Sequence, residues 1–163
     1  REFAAGRAAA RAALAALGYP AAAIPMRPGR APLWPPGIAG SLTHSATACL
    51  AAVTATPALI GLDIEPDEPL PADLIPLILT ASEDRAQARL IFSAKESAWK
   101  AISPRVPQTP GFDAMSVTQT ATAFTATLTQ TLGPLPAGTR LQGRHTRTQG
   151  HILTALTLPP SSL

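Results

Sequence analysis

Phe92-Ser93-Ala94-Lys95-Glu96-Ser97-Ala98-Trp99-Lys100-Ala101-Ile102 sets three charges among the apolar anchors Phe92, Trp99 and Ile102. At about 100° per residue, Glu96 and Lys100 fall on one flank of the apolar stripe, and Lys95 projects between Trp99 and Ile102. A solvent-exposed helix carries its charges opposite its apolar residues. Charges crowded on the buried side must instead be paired, bound to a metal or turned to a ligand. A second reading competes: Ser93 and Glu96 fit a Ser-x-x-Glu capping box, with the helix starting at Ser93 and Lys100 as the i, i+4 partner of Glu96. Against it, the position that would complete a hydrophobic staple with Phe92 is the polar Ser97.

The 163 residues are 46% hydrophobic, enough for one domain or two small halves sharing a core. No apolar run approaches the roughly 20 residues that span a bilayer, and no secretory leader pattern is present. A soluble cytoplasmic protein is expected. The chain opens on Arg1 rather than Met, so a further N-terminal segment of the full protein is expected. The single Cys49 allows neither an internal disulfide nor a multi-thiolate zinc site, and within the apolar run Ala48–Val53 it reads as a small core residue. The net charge of +3 is unevenly spread. Arg1, Arg7, Arg11, Arg27 and Arg30 precede Asp63 with Glu2 as their sole acidic counterpart, and the tail beyond Asp113 carries Arg140, Arg144 and Arg147 with no acid. Such patches meet phosphates or an acidic protein. Nucleic acid is disfavoured by an aromatic content of 4% and the absence of a nucleic-acid motif.

The alanine-rich run from Phe3 to Leu17 predicts a helix stopped by Gly18 and Tyr19-Pro20. Phe3, Ala10, Leu14 and Leu17 share its apolar face, with Arg7 inside the stripe and Arg11 at its edge. Arg7 either snorkels over apolar surface or aims a fixed guanidinium at phosphate. Six prolines make residues 20–37 an extended connection, with Arg27 and Arg30 around Pro28-Gly29 and Trp34 as a packing anchor. Gly40–Ser45, Ala48–Thr56 and Leu59–Glu65 read as strands of one small sheet. In the last of them Gly61, Asp63 and Glu65 share a face. Two carboxylates about 6.5 Å apart along a strand can share a hydrated divalent cation, and an ordinary solvent-facing strand gives the same alternation. Helical pieces at Ala72–Leu79 and Ser82–Leu90 then lead into the Ser93 helix, which ends near Ser103-Pro104. Phe112–Gln119, Ala123–Thr131, Thr139–Arg147 and His151–Leu158 predict an antiparallel meander, giving an α+β chain.

Taken together, Trp34-Pro-Pro-Gly-Ile-Ala-Gly-Ser-Leu-Thr43-His44-Ser45, Gly61-Leu-Asp63-Ile-Glu65 and Phe92-Ser-Ala-Lys95-Glu96-Ser-Ala-Trp-Lys100 resemble the 4′-phosphopantetheinyl transferase superfamily, in its bacterial enterobactin-synthetase type. The likeness runs from the Arg7 helix to Gly143-Arg144. It implies a pseudo-twofold pair of small helix-plus-antiparallel-sheet halves, here residues 1–66 and 67–163, acting as one unit with coenzyme A and Mg²⁺ (or Mn²⁺) between them. Asp63, Glu65 and Glu96 match the metal ligands. Lys100 matches the lysine on the phosphates, Thr43 and His44 the coenzyme A segment, and Arg7 a nucleotide-phosphate arginine. Arg27 and Arg30 lie in the loop toward the adenosine, and Lys95 joins the coenzyme A-binding set. Two departures stand out: the strand region that opens the family is missing, and the link from Leu79 to Phe92 is short.

The implied reaction moves 4′-phosphopantetheine from coenzyme A to a serine of an acidic apo acyl or peptidyl carrier protein, releasing adenosine 3′,5′-bisphosphate. Glu96, Lys100 and Asp63 would be its catalytic residues, with Glu96 taking the serine proton. The chain is expected to work as a monomer, with no membrane and no nucleic-acid partner. The rival is a non-catalytic coenzyme A or carrier-binding module of the same fold.

Overall fold

The computed structural model describes residues 2–27, 31–106 and 109–159, with side chains from residue 4 onward. Helix α1 (Glu2–Ala16) follows from the alanine run and stops where Gly18 takes φ 73° and Tyr19 N–H turns back to the Leu14 carbonyl at 2.9 Å. Its buried stripe holds Arg7, Ala10 and Leu14, whereas Leu17, expected on that face, is exposed because the helix has already ended. Strands β1 (Ala39–His44) and β2 (Cys49–Thr54) form an antiparallel hairpin beneath it. Trp34 closes this cluster, its ring so near Gly40 that a Cβ there would lie 2.7 Å away.

Strand β3 (Leu59–Pro66) corrects the expected three-stranded sheet. It pairs antiparallel along its whole length with β7 (His151–Leu158), as the edge of a five-stranded sheet ordered β3-β7-β6-β5-β4. The other members are β4 (Met115–Gln119), β5 (Ala123–Leu128) and β6 (Arg140–Thr148), the expected meander. The link from β1 to β3 is not a backbone ladder. Leu62 N–H donates to the Ser41 hydroxyl (3.1 Å) and Ile64 N–H to the Thr43 hydroxyl (3.2 Å), which satisfies amides at the sheet's edge.

Prolines limit α2 to a single turn, Ile75–Ile78, within the longer helix expected there. Asp84 then caps a 3₁₀ turn at Arg85–Gln87 through a 2.9 Å bond from Ala86 N–H. That turn runs straight into α3 (Ala88–Ile102). Ser93 is therefore inside the helix, and the capping-box reading falls. Ile91, Ala94, Ala98 and Ile102 of α3 pack on Phe124, Leu141 and Leu156 of the large sheet to form the main core. Among the described residues, no helix is long and apolar enough to cross a membrane.

The large sheet and α3 meet closely at Gly61. A Cβ there would stand 1.8 Å from the Ser97 carbonyl oxygen, which is helix backbone and cannot yield alone. Gly61→Ala should therefore push α3 off β3 and cost about 1–3 kcal/mol or more of stability, measured by urea denaturation. An unchanged midpoint would show that the helix can move freely.

Candidate active site

The centre of the site is Asp63, a carboxylate only 4% exposed in the middle of β3. Its Oδ1 accepts from Lys100 Nζ at 2.6 Å and from the Thr43 hydroxyl at 3.1 Å, and its Oδ2 accepts from the Ser93 hydroxyl at 2.9 Å. Lys100 Nζ also reaches Thr43 Oγ1 (3.3 Å) and the Leu62 carbonyl (3.2 Å). Thr154 of β7 donates to the Ser93 carbonyl at 2.9 Å and steadies that turn of helix. Three charge-assisted bonds, one from β1 and two from α3, thus offset the cost of burying one carboxylate.

Glu65, two residues along the strand, holds Arg89 Nη1 at 2.8 Å, and the same guanidinium reaches the carbonyls of Glu68 (3.1 Å) and Pro69 (3.0 Å). Burial raises the Glu65 carboxyl above its ordinary range and the Asp63 charge adds to this, while Arg89 opposes both. Glu96 is half-buried on α3. Burial raises its carboxyl too; Lys100 counters, and the charges of Asp63 and Glu65 push it further up. The three carboxylates therefore feel one another. Among the described residues, however, no three His, Cys, Asp or Glu side chains stand ready to hold a metal ion, and Asp63 and Glu65 are turned to Lys100 and Arg89.

Sequence reasoning missed Arg89 and Ser93 as members of this group. Residues 89, 93, 96 and 100 follow the i, i+4, i+7, i+11 spacing of one helix face, a signal hidden by starting the helix at Ser93. Lys95 requires correction. It heads the Trp99–Ile102 stripe and is 2% exposed, but Nζ donates to Glu83 Oε2 (2.8 Å) and to the carbonyls of Ile78 (2.7 Å) and Phe112 (3.0 Å), away from Asp63. Glu83 in turn accepts from Thr80 N–H (2.6 Å) and Val117 N–H (2.7 Å). Lys95 is thus a satisfied core cation. Arg7 is buried on α1, its Nη2 3.5 Å from the Pro25 carbonyl. Arg27 is exposed in a loop closed by its own N–H on the Ala31 carbonyl at 2.8 Å, and Arg30 lies outside the described residues. His44 ends β1, exposed and next to Thr43. Cys49 is only half-buried, its Sγ 3.5 Å from the Thr43 carbonyl oxygen.

Both parts of the chain are similar to known proteins. Residues 1–54 match the 4′-phosphopantetheinyl transferase N-terminal domain, and residues 59–154 match the 4′-phosphopantetheinyl transferase superfamily. The chain belongs to that superfamily. It is 39% identical to the 4′-phosphopantetheinyl transferase Svp of Streptomyces mobaraensis over 95% of its own length and 70% of that protein. It is 33% identical to the 4′-phosphopantetheinyl transferase PptT of Mycobacterium tuberculosis, over 96% of this chain and 78% of that one. With enterobactin synthase component D of Salmonella typhimurium the identity is 39%, over 62% of this chain and 51% of the relative. The boundary between the two matches falls in the β2–β3 turn, so β3 goes with the second match as it goes with the large sheet.

Two outcomes are expected of this transferase superfamily member. Lys95→Met leaves Glu83 charged and buried without its cation, so stability should fall by about 3–5 kcal/mol, and Lys95→Met with Glu83→Gln should recover much of it in urea titrations. Glu96→Gln should stabilise the metal-free protein in a pH-dependent way. The folded carboxyl is raised above its unfolded value, so ionisation favours unfolding. The cost is absent at acid pH, grows as pH rises between the two values and is constant above them. A stability difference that is flat from pH 3 to pH 9, in denaturation with chelator present, would contradict that burial effect.

Proposed function

We propose that this chain is a cytoplasmic transferase that moves 4′-phosphopantetheine from coenzyme A to the serine hydroxyl of an acidic apo acyl or peptidyl carrier protein. The observation that carries the reading is the meeting of all three sequence motifs: Thr43 of the first, Asp63 of the second and Lys100 of the third bond to one another. The serine oxygen bonds to the phosphorus that bears the pantetheine as the bond to the bridging oxygen breaks, and adenosine 3′,5′-bisphosphate leaves. Glu96, half-buried on the same helix face as Lys100, is the candidate to take the serine proton. Lys100 and His44 address phosphate oxygens, and Arg7, Arg27 and Arg30 supply charge on the N-terminal side toward the nucleotide.

Asp63, Glu65 and Glu96 form a hard-oxygen donor set suited to Mg²⁺, with Mn²⁺ as a substitute, once Asp63 and Glu65 turn from Lys100 and Arg89. The raised carboxyls of Glu65 and Glu96 fit this reading, since part of the shift is mutual repulsion that a cation relieves. Bound there, the cation would neutralise charge on the diphosphate. For the carrier, a cavity of about 420 Å³ is lined by Leu70 and Ile75, by Arg85, Arg89 and Arg147, and by Asp67 and Glu68, with Arg147 paired to Asp67. This chemistry suits an acidic partner with an apolar ridge.

Mass spectrometry of an apo carrier incubated with this chain, coenzyme A and Mg²⁺ tests the reading. One phosphopantetheine should be gained with the wild type and none with Glu96→Ala, which remains folded by circular dichroism, or with Asp63→Ala, which also loses stability because Thr43, Ser93 and Lys100 lose their acceptor. Full transfer by Glu96→Ala would overturn the assignment. Raising salt from about 0.01 M to 1 M shrinks the screening length from roughly 30 Å to 3 Å, so kcat/KM for the carrier should fall steeply while kcat changes little. A salt-independent kcat/KM would assign docking to apolar contacts such as Leu74 and Ile75.

A further inference from the structure

His151 begins β7, immediately after a hairpin turn in which Gln149 and Gly150 both take positive φ, 49° and 72°. A non-glycine residue in the left-handed region costs about 1–2 kcal/mol, so other contacts must hold this turn. They are on both sides of it. Asp67 N–H donates to the Gly150 carbonyl at 2.8 Å, and Arg147 forms an ion pair with Asp67. The Gln149 carbonyl lies 2.9 Å from His151 Nδ1, which fixes the tautomer: a carbonyl can only accept, so Nδ1 carries the proton and Nε2 is the acceptor.

Nε2 faces two hydroxyls from the other half of the chain, Thr47 Oγ1 at 2.9 Å and Ser45 Oγ at 3.2 Å. The Ser45 oxygen already accepts from Ala48 N–H (3.1 Å) and Thr47 N–H (3.4 Å), which leaves its proton for the ring. The β1–β2 turn is thus held from the large sheet by a single imidazole. On the other side of His44, Thr43 is held by Asp63 and Lys100. His44 itself is exposed between these two fixed points.

We infer that His151 is a positioning residue, which by gripping Ser45 and Thr47 fixes the backbone at His44 and so sets the direction of that side chain toward the phosphates of coenzyme A. The inference rests on the transferase reading for the identity of the ligand, and on the fold alone for the grip. His151 itself takes no part in the chemistry, so its loss should affect binding and not the transfer step.

Three measurements on the full chain decide it: amide hydrogen exchange over residues 44–48, coenzyme A binding by calorimetry, and steady-state kinetics with a carrier. His151→Ala should speed exchange at the turn and raise both Kd and KM for coenzyme A about 3- to 10-fold, with kcat within about twofold. His151→Gln, whose amide oxygen can accept in place of Nε2, should recover most of the affinity. Adding Thr47→Val to His151→Ala should add little, because the bond the two side chains share is already gone. Unchanged exchange at the turn would overturn the grip. Faster exchange with unchanged Kd and KM would overturn the positioning role. A wild-type chain that binds no coenzyme A would instead fail the transferase reading, and the exchange result would still judge whether His151 holds the turn.

Discussion

A carboxylate without water is costly unless every lone pair is matched, and Asp63 is the residue on which the arrangement turns. Its matching donors lie on β1 and, two turns apart, on one face of α3, so the charge can be buried only when both elements are seated against β3. Charge balance at a single atom group therefore specifies how the N-terminal hairpin, the long helix and the large sheet come together. Hydrophobic packing supplies most of the stabilisation, but Ile91, Ala98 and Ile102 would tolerate small rotations of the helix. The bonds to Asp63 would not.

The same geometry draws functional groups together. Arg89, Ser93, Glu96 and Lys100 form a polar stripe on a helix buried on most of its circumference, and the stripe runs antiparallel to β3, with Arg89 opposite Glu65 and Lys100 opposite Asp63. Gly61 allows the close approach, because helix backbone occupies the space its side chain would take. Cations beside Asp63 and Glu65 leave Glu96 as the carboxyl whose burial is countered only by Lys100.

Local signals were legible in the sequence. The alanine run with Gly18, the meander and the carboxylates on one face of β3 follow from periodicity and turn chemistry, and β7 begins and ends where alternation places it. What could not be read depended on tertiary partners. The start of α3 was obscured because Ser93 looks like a cap, whereas the cap that matters is Asp84, one 3₁₀ turn before the helix. β3 follows the β1–β2 hairpin in sequence, yet its ladder partner β7 lies at the far end of the chain, and nothing in a local pattern specifies that pairing. Lys95 was rightly placed on the buried side. Its partner Glu83 lies 12 residues earlier in the chain, beyond any neighbour on the same helix, so wheel geometry gives the direction and not the destination.

No backbone ladder joins the two sheets among the described residues, and the crossing is made by side-chain hydroxyls, an ammonium and an imidazole. Such bonds are individually modest, about 0.5–1.5 kcal/mol each, and reversible. The exposed β2–β3 turn at Ala55-Thr56-Pro57 is thus a natural place to divide the polypeptide. Each fragment would keep its own apolar cluster, and their reunion would be a concentration-dependent association of two molecules, which makes the protein a scaffold for fragment complementation.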